Sequence, residues 1–434
     1  MKMRTLILGI FLFLGASLWA QTSEPMPIPA SGREPARGRL IPTFKRDTID
    51  SYRREVIWGE SADHARSYVA EVSLPFAWNN RQVLLRIGGA PSGYTLRVNG
   101  REVGHVSTGA LPAEFNITKF AQVGSVARLE LRLMDSTAGA RRLEDFDHPQ
   151  QLLASELVSQ PTIRVRDVVA ETRKTEGGYL AEVGIVVKSD ALNEKSARIR
   201  YELLDTAGMV VKQGFSDLTL RMRGEDTLRF VYAVPEGMLW SPSSPLHYRL
   251  RLSTQSVGRY TEYLNLPIGF RHVALADGVL RLNGEPLSIQ AYRVDRALTC
   301  EELSSLKAEG CTLLLPLPGY STEALYALAD EVGICVVAQS PICTEASGLS
   351  RQKNGNPSND PALVAEYLDR VASARHVAQR HPSVVAYSLA HKSANGIALY
   401  ESYLSLKRVE KSLPICYFDA LGEWNHDYIE IRNE

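Results

Sequence analysis

The stretch Thr312–Gln339 (TLLLPLPGYSTEALYALADEVGICVVAQ) decides the fold of the C-terminal part of the chain. Its apolar runs, Thr312–Leu317 and Ile334–Gln339, are short and nearly uninterrupted, which is typical of strands covered on both faces. Between them, Thr322–Val332 has helical periodicity, and Gly333 supplies the residue that commonly ends a helix in the left-handed conformation. The stretch therefore predicts a strand, a helix and a second strand parallel to the first.

The same alternation of strands and helices extends on both sides of this unit. A capping box at Thr299 and Glu302 begins one helix, Asp360-Pro361 begins the longest helix, and Ile397–Val409 forms another. Further strands are predicted at Leu287–Tyr292, Val384–Leu389 and Ile415–Phe418. A complete (β/α)₈ barrel needs about 250 residues, so residues 273–434 predict a partial (β/α) TIM-type barrel. Its roughly five parallel strands would leave two open edges.

The region before residue 273 has the alternation of β-strands instead. Apolar and polar residues alternate in short runs, and Asn99-Gly100 between two such runs is a strong hairpin signal. We predict one β-sandwich over residues 47–155 and a second, Ig-like β-sandwich over residues 156–272. The fold class is thus multidomain β plus α/β.

The N-terminus has the pattern of an export signal. Lys2 and Arg4 precede a short apolar run that closes at Ala20, and this predicts a signal peptide over residues 1–20. Residues 21–46 contain five prolines and predict an extended leader. No later segment is apolar enough to span a bilayer. We expect an exported protein, periplasmic or extracellular, with no membrane span after signal cleavage.

Composition excludes several classes of protein. Lys+Arg and Asp+Glu are balanced at 49 each, so a nucleic-acid partner bound by general electrostatics is not expected. The five cysteines all lie in the last third, and neither their spacing nor that of the histidines resembles a zinc site. Phosphate-binding glycine loops are absent. We predict no metal and no cofactor, and we expect the cysteines to be mostly buried free thiols.

Several motifs, in their order along the chain, resemble those of glycoside hydrolase family 2, the family of β-galactosidases, β-glucuronidases and β-mannosidases. They are Gly93-Tyr-Thr-Leu-Arg-Val-Asn-Gly-Arg-Glu-Val-Gly104, Ala113-Glu-Phe-Asn-Ile-Thr118, Leu239-Trp-Ser-Pro-Ser-Ser-Pro-Leu-His-Tyr248, Ile268-Gly-Phe-Arg271, Leu282-Asn-Gly-Glu-Pro-Leu287 and Arg380-His-Pro-Ser-Val384. The resemblance implies that the first sandwich is the jelly-roll-like, galactose-binding-like domain of that family.

The resemblance fails at the catalytic positions. Family enzymes follow a W-S-L strand with G-N-E-S-G, whose Glu is the acid/base; here Lys392 occupies that position and His391 the neighbouring Asn. A retaining glycosidase needs two carboxyl groups ~5–5.5 Å apart, and a lysine ammonium of pKa ~10.4 holds its proton too tightly for that role. The nucleophile of the family lies on a later strand than the chain contains. We therefore expect no catalytic residues.

Other sugar-contact positions of the family also differ here. The segments after the first three barrel strands are Ile289–Arg296, Leu314–Tyr320 and Val336–Gln339, which lack the family's Arg, His and Glu. Residues at the carboxyl ends of barrel strands face the usual ligand site. The candidate ligand-facing residues are Tyr292, Arg293, Asp295, Gln339, His391, Lys392, Tyr417 and Trp424.

Three functions remain open. The leading hypothesis is a non-catalytic family 2-like protein that binds a glycan or an envelope protein. The second is an active retaining β-glycosidase with an altered site, or one completed by a partner chain. The third is a structural subunit of a cell-envelope complex. The open barrel edges would be covered by the Ig-like domain and the tail Asp419–Glu434, or by an envelope protein or a second copy of the chain; otherwise the chain would be a truncated relic of poor stability.

Overall fold

A computed structural model describes residues 52–61, 66–134, 143–149, 151–256, 259–348, 350–352, 355–420 and 422–429. The predicted signal peptide, residues 1–20, and the predicted leader, residues 21–46, lie outside the described residues. Within these ranges the chain forms two β-sandwiches followed by a parallel sheet with helices. No helix among them has both the length and the apolar character needed to cross a membrane.

The first sandwich contains nine strands in two sheets, ordered β1-β9-β4-β7 and β2-β3-β8-β5-β6. The Asn99-Gly100 turn joins β5 to β6 with both residues at positive φ, 50° and 78°, as the hairpin prediction requires. The strands are β1 Arg53–Val56, β2 Gly59–Glu60, β3 Ser67–Ser73, β4 Arg81–Ile87, β5 Tyr94–Val98, β6 Arg101–Val106, β7 Ala113–Asn116, β8 Val126–Leu133 and β9 Ser155–Pro161.

The predicted boundary between the sandwiches at residues 155/156 falls inside a strand. β9 pairs along its length with β4 and at its N-terminal part with β1, both in the first sandwich. The structural division therefore lies after Pro161. Residues 155–161 could be assigned to either neighbour by alternation alone, because their partners are more than sixty residues away in sequence.

The second sandwich has a three-stranded sheet, β10-β11-β14, and a four-stranded sheet, β13-β12-β15-β16. The strands are β10 Ile163–Thr175, β11 Gly178–Ser189, β12 Lys195–Leu204, β13 Val210–Leu220, β14 Glu225–Val234, β15 Tyr248–Ser256 and β16 Arg259–Ile268. Alternate residues of β11 are buried against the other sheet, which is the pattern of a sandwich with one solvated face.

A small antiparallel sheet, β17-β18-β19, leads into the last unit. Its strands are β17 Val273–Ala276, β18 Val279–Leu282 and β19 Glu285–Pro286. The second predicted hairpin signal, Asn283-Gly284, turns between β18 and β19 with φ of 54° and 94°.

The last unit is a five-stranded parallel sheet in the simple order β20-β21-β22-β23-β24, as predicted. Its strands are β20 Ala291–Val294, β21 Leu313–Pro316, β22 Cys335–Gln339, β23 Val384–Ser388 and β24 Ile415–Cys416. The α-helices between them, among the described residues, are α1 Cys300–Ala308, α2 Glu323–Val332, α3 Val364–Ala378 and α4 Ile397–Val409. All five residues of β22 and of β23 are buried, because helices and sandwich cover both faces.

The helix boundaries follow the predicted signals closely. Thr299 and Glu302 form the complete capping box of α1, and Gly333 ends α2 with φ 81°. Asp360 caps a short 3₁₀ turn rather than α3 itself, which begins at Val364.

The edge of β24 is covered by the chain that follows it. The backbone N–H of Asp427 donates to the carbonyl oxygen of Ile415 at 2.6 Å, and its carboxylate accepts from the N–H of Ile415 at 2.7 Å. Ile429 is buried in the core of the last unit. The outer edge of β24 is therefore covered by residues 422–429 of the same chain.

Candidate functional site

The carboxyl ends of β20–β24 meet at one edge of the parallel sheet, which we call the strand-end face. Barrel enzymes place their reactive groups at this face. Arg293 and Asp295, at the end of β20, are exposed there, and Tyr292 is half-buried. His391 and Lys392 lie just beyond β23. The fold therefore puts most of the predicted residues on the expected face.

Lys392 is held by a carboxylate from the neighbouring loop. Its ammonium nitrogen lies 2.9 Å from both Oε1 and Oε2 of Glu345, which follows β22. About half of each side chain is exposed, 45% for Lys392 and 52% for Glu345. Lys392 also has a positive φ of 42°, an uncommon conformation for a non-glycine residue that clusters at functional sites.

His391 and Asp419 form the polar floor beside this pair. The Asp419 carboxylate accepts a hydrogen bond from the backbone N–H of Ser393 at 3.3 Å. Burial raises the pKa of Asp419 against the lowering effect of its backbone hydrogen bonds and of His391. Burial likewise lowers the pKa of His391, although Asp419 acts in the opposite direction. Burial therefore favours the neutral form of the imidazole.

A segment of the first sandwich reaches the strand-end face. The backbone carbonyl oxygen of Leu143 accepts a hydrogen bond from the N–H of Cys343 at 2.9 Å. The N–H of Asp145 donates one to the carbonyl oxygen of Cys343 at 3.2 Å. The carbonyl oxygen of Ile342, the residue before Cys343, accepts a hydrogen bond from the N–H of His391 at 2.9 Å. These bridges place residues 143–145 parallel to the loop that carries Glu345.

A buried arginine anchors that segment. Arg370 on α3 is fully buried and lies 2.9 Å from a carboxylate oxygen of Glu144, while it also binds Glu366 and donates to the carbonyl of Pro341 at 2.8 Å. A guanidinium with several fixed acceptors is a rigid attachment point. The first sandwich is thus part of the framework of the site.

Three side chains at this place have the donor atoms of a metal site. Ligand atoms of Asp145, Cys343 and Glu345 lie within 4.8 Å of one another. However, Glu345 already holds Lys392, and Asp145 accepts from the N–H of Ala346 at 2.8 Å. Burial raises the pKa of the Cys343 thiol to about 11, so the thiolate that a metal needs is disfavoured. The arrangement is explained without a metal.

Two predicted ligand-facing residues are buried by the protein itself. Tyr417 has no exposed surface, and its hydroxyl donates to the carbonyl of Ser393 at 2.5 Å. Gln339 is 7% exposed, and its side-chain amide donates to the carbonyl of Ser340 at 3.0 Å. Both side chains are thus largely enclosed by the loops of the strand-end face.

Trp424 is one of the exposed aromatic residues that follow β24, with Phe418 and Tyr428. Its ring is 57% exposed and stacks on Tyr400 of α4 with 5.2 Å between centroids and 15° between planes. Tyr403 meets the same ring edge-on. A flat indole fixed by two tyrosines is a preformed apolar surface.

The sequence interpretation missed Glu345, Asp419 and Asp145. Asp419 had a usable signal, since it directly follows the strand predicted at Ile415–Phe418. Glu345 lies six residues beyond its strand, and Asp145 belongs to another domain. No periodicity connects such residues to a barrel site.

The fold defines a class of protein, in which two β-sandwiches precede a TIM-type barrel domain. The candidate site lies at the carboxyl ends of the barrel strands. Residues 320–432 match the family model described as glycosyl hydrolases family 2, TIM barrel domain. The family model, the curated relatives and the solved structures all support the resemblance to glycoside hydrolase family 2 that the motifs predicted.

The curated relatives are β-galactosidases. The chain is 25% identical over 372 residues to one from Psychromonas ingrahamii and 28% identical over 374 residues to one from Aeromonas hydrophila. Each match covers 81% of this chain but 35% of the relative. The chain thus spans about a third of the length of these enzymes.

Solved structures share the fold. A β-glucuronidase from Bacteroides uniformis superposes with a TM-score of 0.67 at 17% identity, covering 81% of this chain and 46% of that one. A β-glucuronidase from Dictyoglomus thermophilum gives a TM-score of 0.64 at 18% identity, covering 82% and 65%. At these identities the likeness concerns architecture, and activity has to be argued from the site.

Proposed function

We propose that this glycoside hydrolase family 2-like protein binds carbohydrate at the strand-end face and does not cleave it. The proposal is carried by the ion pair between Lys392 and Glu345. A lysine occupies the position that aligns with the acid/base Glu of the family, and its ammonium lies 2.9 Å from both oxygens of a carboxylate.

The chemistry of glycoside cleavage is incompatible with that pair. The acid/base group must donate a proton to the leaving oxygen and then accept one from water. A lysine ammonium held by Glu345 has no free electron pair with which to accept a proton from water. Its positive charge would also oppose the oxocarbenium-like transition state. Lys392 therefore serves as a hydrogen-bond donor to a bound hydroxyl group.

The surroundings suit a sugar. Pyranose rings have an apolar face that packs on aromatic rings and hydroxyl groups that need polar partners. Trp424 supplies an exposed aromatic surface. Arg293, Asp295 and the pair Lys392–Glu345 supply exposed donors and acceptors at the strand ends.

The test combines binding with turnover. A glycan array identifies a ligand, and calorimetry then measures its affinity for the wild type, Trp424→Ala and Lys392→Met. We expect each variant to lose about tenfold in affinity, because stacking and charged hydrogen bonds each contribute about 1–3 kcal/mol. The matched control is Phe215→Ala, which removes an aromatic that is also 57% exposed but lies on β13 of the second sandwich. Its affinity should equal that of the wild type.

Turnover of β-linked nitrophenyl glycosides separates binding from hydrolysis. We expect none above background for the wild type. A second candidate, a β-glycosidase with a rebuilt proton donor, is favoured by Asp419, a half-buried carboxyl at the strand-end face whose pKa is raised by burial. Robust turnover that Asp419→Asn or Glu345→Gln abolishes would establish this candidate and refute the non-catalytic one.

Export and partners complete the proposal. The pattern of residues 1–20 supports secretion to the periplasm or the extracellular space, where glycans are accessible. An envelope protein, or a second copy of the chain, is the alternative occupant of the exposed surface. Fractionation of the native cells and pull-down from their envelope test this. A partner retained by Trp424→Ala, together with a blank glycan array, would favour a structural subunit over a glycan binder.

A further inference from the structure

A cavity lies between the second sandwich and the parallel sheet, at the opposite end of β23 from the strand-end face. It encloses about 400 Å³, including the part open to solvent. Its apolar wall includes Leu250 and Leu266 of the sandwich. Its polar wall consists of Arg271 and of Gln379, Arg380 and His381, which precede β23. Clefts between domains are common places for ligands.

Arg271 places a buried positive charge in this wall. It is 8% exposed, and its Nε and Nη2 both donate to the carbonyl oxygen of Val384, at 3.1 and 2.7 Å. Among the described residues it forms no ion pair with a carboxylate. Burial lowers its pKa, although Glu410 and Asp330 act in the opposite direction. A buried charge without a counter-ion is costly.

Arg380 and His381 add buried polar atoms to this wall. Arg380 Nε and His381 Nε2 are buried atoms that find no hydrogen-bond partner within the part of the chain that the structure describes. Two carboxylates act on the Arg380 guanidinium, Asp167 and Glu323. Glu323 Oε1 lies 3.9 Å from Arg380 Nη2, and Glu323 is held more closely by Arg86, at 2.5 Å. Unsatisfied buried polar groups are rare and call for an explanation.

The other acidic groups around the cavity are already engaged. Asp330 contacts His381 Nδ1 at 2.5 Å and accepts from the N–H of Ser383 at 2.9 Å. Asp167 accepts from the Gln379 amide at 2.9 Å. Two guanidinium groups and one imidazole therefore line a single cavity with less negative charge than they can bind.

We propose that this cavity binds a small oxyanion, a carboxylate or phosphate group, between Arg271, Arg380 and His381. The planar guanidinium groups match the geometry of such anions. Asp330 holds Nδ1 of His381, so Nε2 is the ring nitrogen left to meet the bound group. The anion would contact both the sandwich and the sheet, and so stabilise the junction between them.

The experiment uses the full chain and two probes, inorganic phosphate and acetate, at constant ionic strength with chloride as background. Calorimetry should show saturable binding of at least one probe, accompanied by a rise in melting temperature. Binding of phosphate alone or acetate alone identifies which oxyanion the site prefers. Arg380→Gln should weaken binding about tenfold, since it removes a charged donor. The control Arg249→Gln removes an exposed arginine of β15 and should bind as the wild type does.

A second variant blocks the cavity without removing charge. Ala170→Phe fills the space beside Leu266 and should abolish binding. Both variants retain Arg271 and its bonds to Val384, and circular dichroism checks that they fold. Absence of saturable binding of either anion to the wild type, or equal binding by the wild type and Arg380→Gln, would overturn the proposal. Glycan binding at the strand-end face is unaffected by Arg380→Gln, so the two proposals fail independently.

Discussion

Lys392 and Glu345 face each other across the ends of two adjacent parallel strands. The ammonium nitrogen is equidistant, at 2.9 Å, from the two carboxylate oxygens. β22 and β23 bring their loops together because parallel strands end at the same edge of the sheet. The positive charge of Lys392, which the motifs predict at the family's acid/base position, therefore has a negatively charged partner.

We expect the Lys392–Glu345 pair to contribute little to folding. Both side chains are about half exposed, and such pairs are typically worth less than about 1 kcal/mol. A double-mutant cycle with Lys392→Met and Glu345→Gln, followed by chemical denaturation, measures the coupling. The matched comparison is Arg375→Met, which leaves Glu410 buried and unpaired and should cost about 3 kcal/mol. Equal destabilisation by Lys392→Met and Arg375→Met would show that the exposed pair is structural.

His391 should titrate below its ordinary pKa of 6.5. Burial lowers its pKa, Asp419 and Glu345 raise it, and Arg293 and Lys392 lower it further. Asp419→Asn should therefore move the His391 pKa down, and Lys392→Met should move it up. NMR of the imidazole carbon-bound protons measures the three midpoints. A shift of the same sign in both variants would contradict this account of the electrostatics.

The same shift has a defined effect on stability. A histidine with a lowered pKa in the folded state binds protons more weakly than in the unfolded state. Its contribution to stability is thus present above pH 6.5 and is lost as the pH falls through the lowered pKa. His391→Gln should show a smaller loss of melting temperature between neutral and mildly acidic pH than the wild type shows.

Asp427→Ala should expose the edge of β24. Besides the N–H of Ile415, its carboxylate accepts from the hydroxyl of Tyr403 at 3.0 Å and from Lys407 at 2.5 Å. Loss of these bonds should cost about 2–3 kcal/mol and speed the exchange of the Ile415 amide hydrogen.

Asp226→Ala is the control for this prediction, since Asp226 is exposed and accepts from the N–H of Thr227. It should change stability by less than about 0.5 kcal/mol. Unchanged exchange at Ile415 in Asp427→Ala would mean that β24 is protected by other groups.

Gly269→Ala should separate the second sandwich from the sheet. A Cβ at Gly269 would lie 2.5 Å from Cγ and 2.8 Å from Cβ of Pro382, so the contact between the two domains has no room for a methyl group. We expect a loss of about 1–3 kcal/mol. Gly237→Ala, where a Cβ would meet nothing within 4 Å, should be nearly neutral. Thermal denaturation measures the melting temperatures of both variants. Equal melting temperatures for Gly269→Ala and Gly237→Ala would refute the close contact between Gly269 and Pro382.

The local structure of the barrel unit was accessible from sequence because its signals are local. The capping box at Thr299 and the glycine at position 333 mark helix ends through interactions within a few residues. The Asn-Gly turns at positions 99 and 283 likewise require positive φ at adjacent residues. By contrast, the predicted domain boundary at residues 155/156 separates most of β9 from the first sandwich, because the strands with which β9 pairs are distant along the chain.

The sequence by itself determined the order of the domains and the five parallel strands, and it predicts that Lys392 stands where the family has its acid/base carboxylate. Only the tertiary structure decided that Glu345 binds Lys392, that Tyr417 is buried, and that Asp427 covers β24. The physical reason is the range of the interactions. Periodicity and capping act over a few residues, whereas charge pairing and edge covering join groups that approach one another only after the sheet has formed.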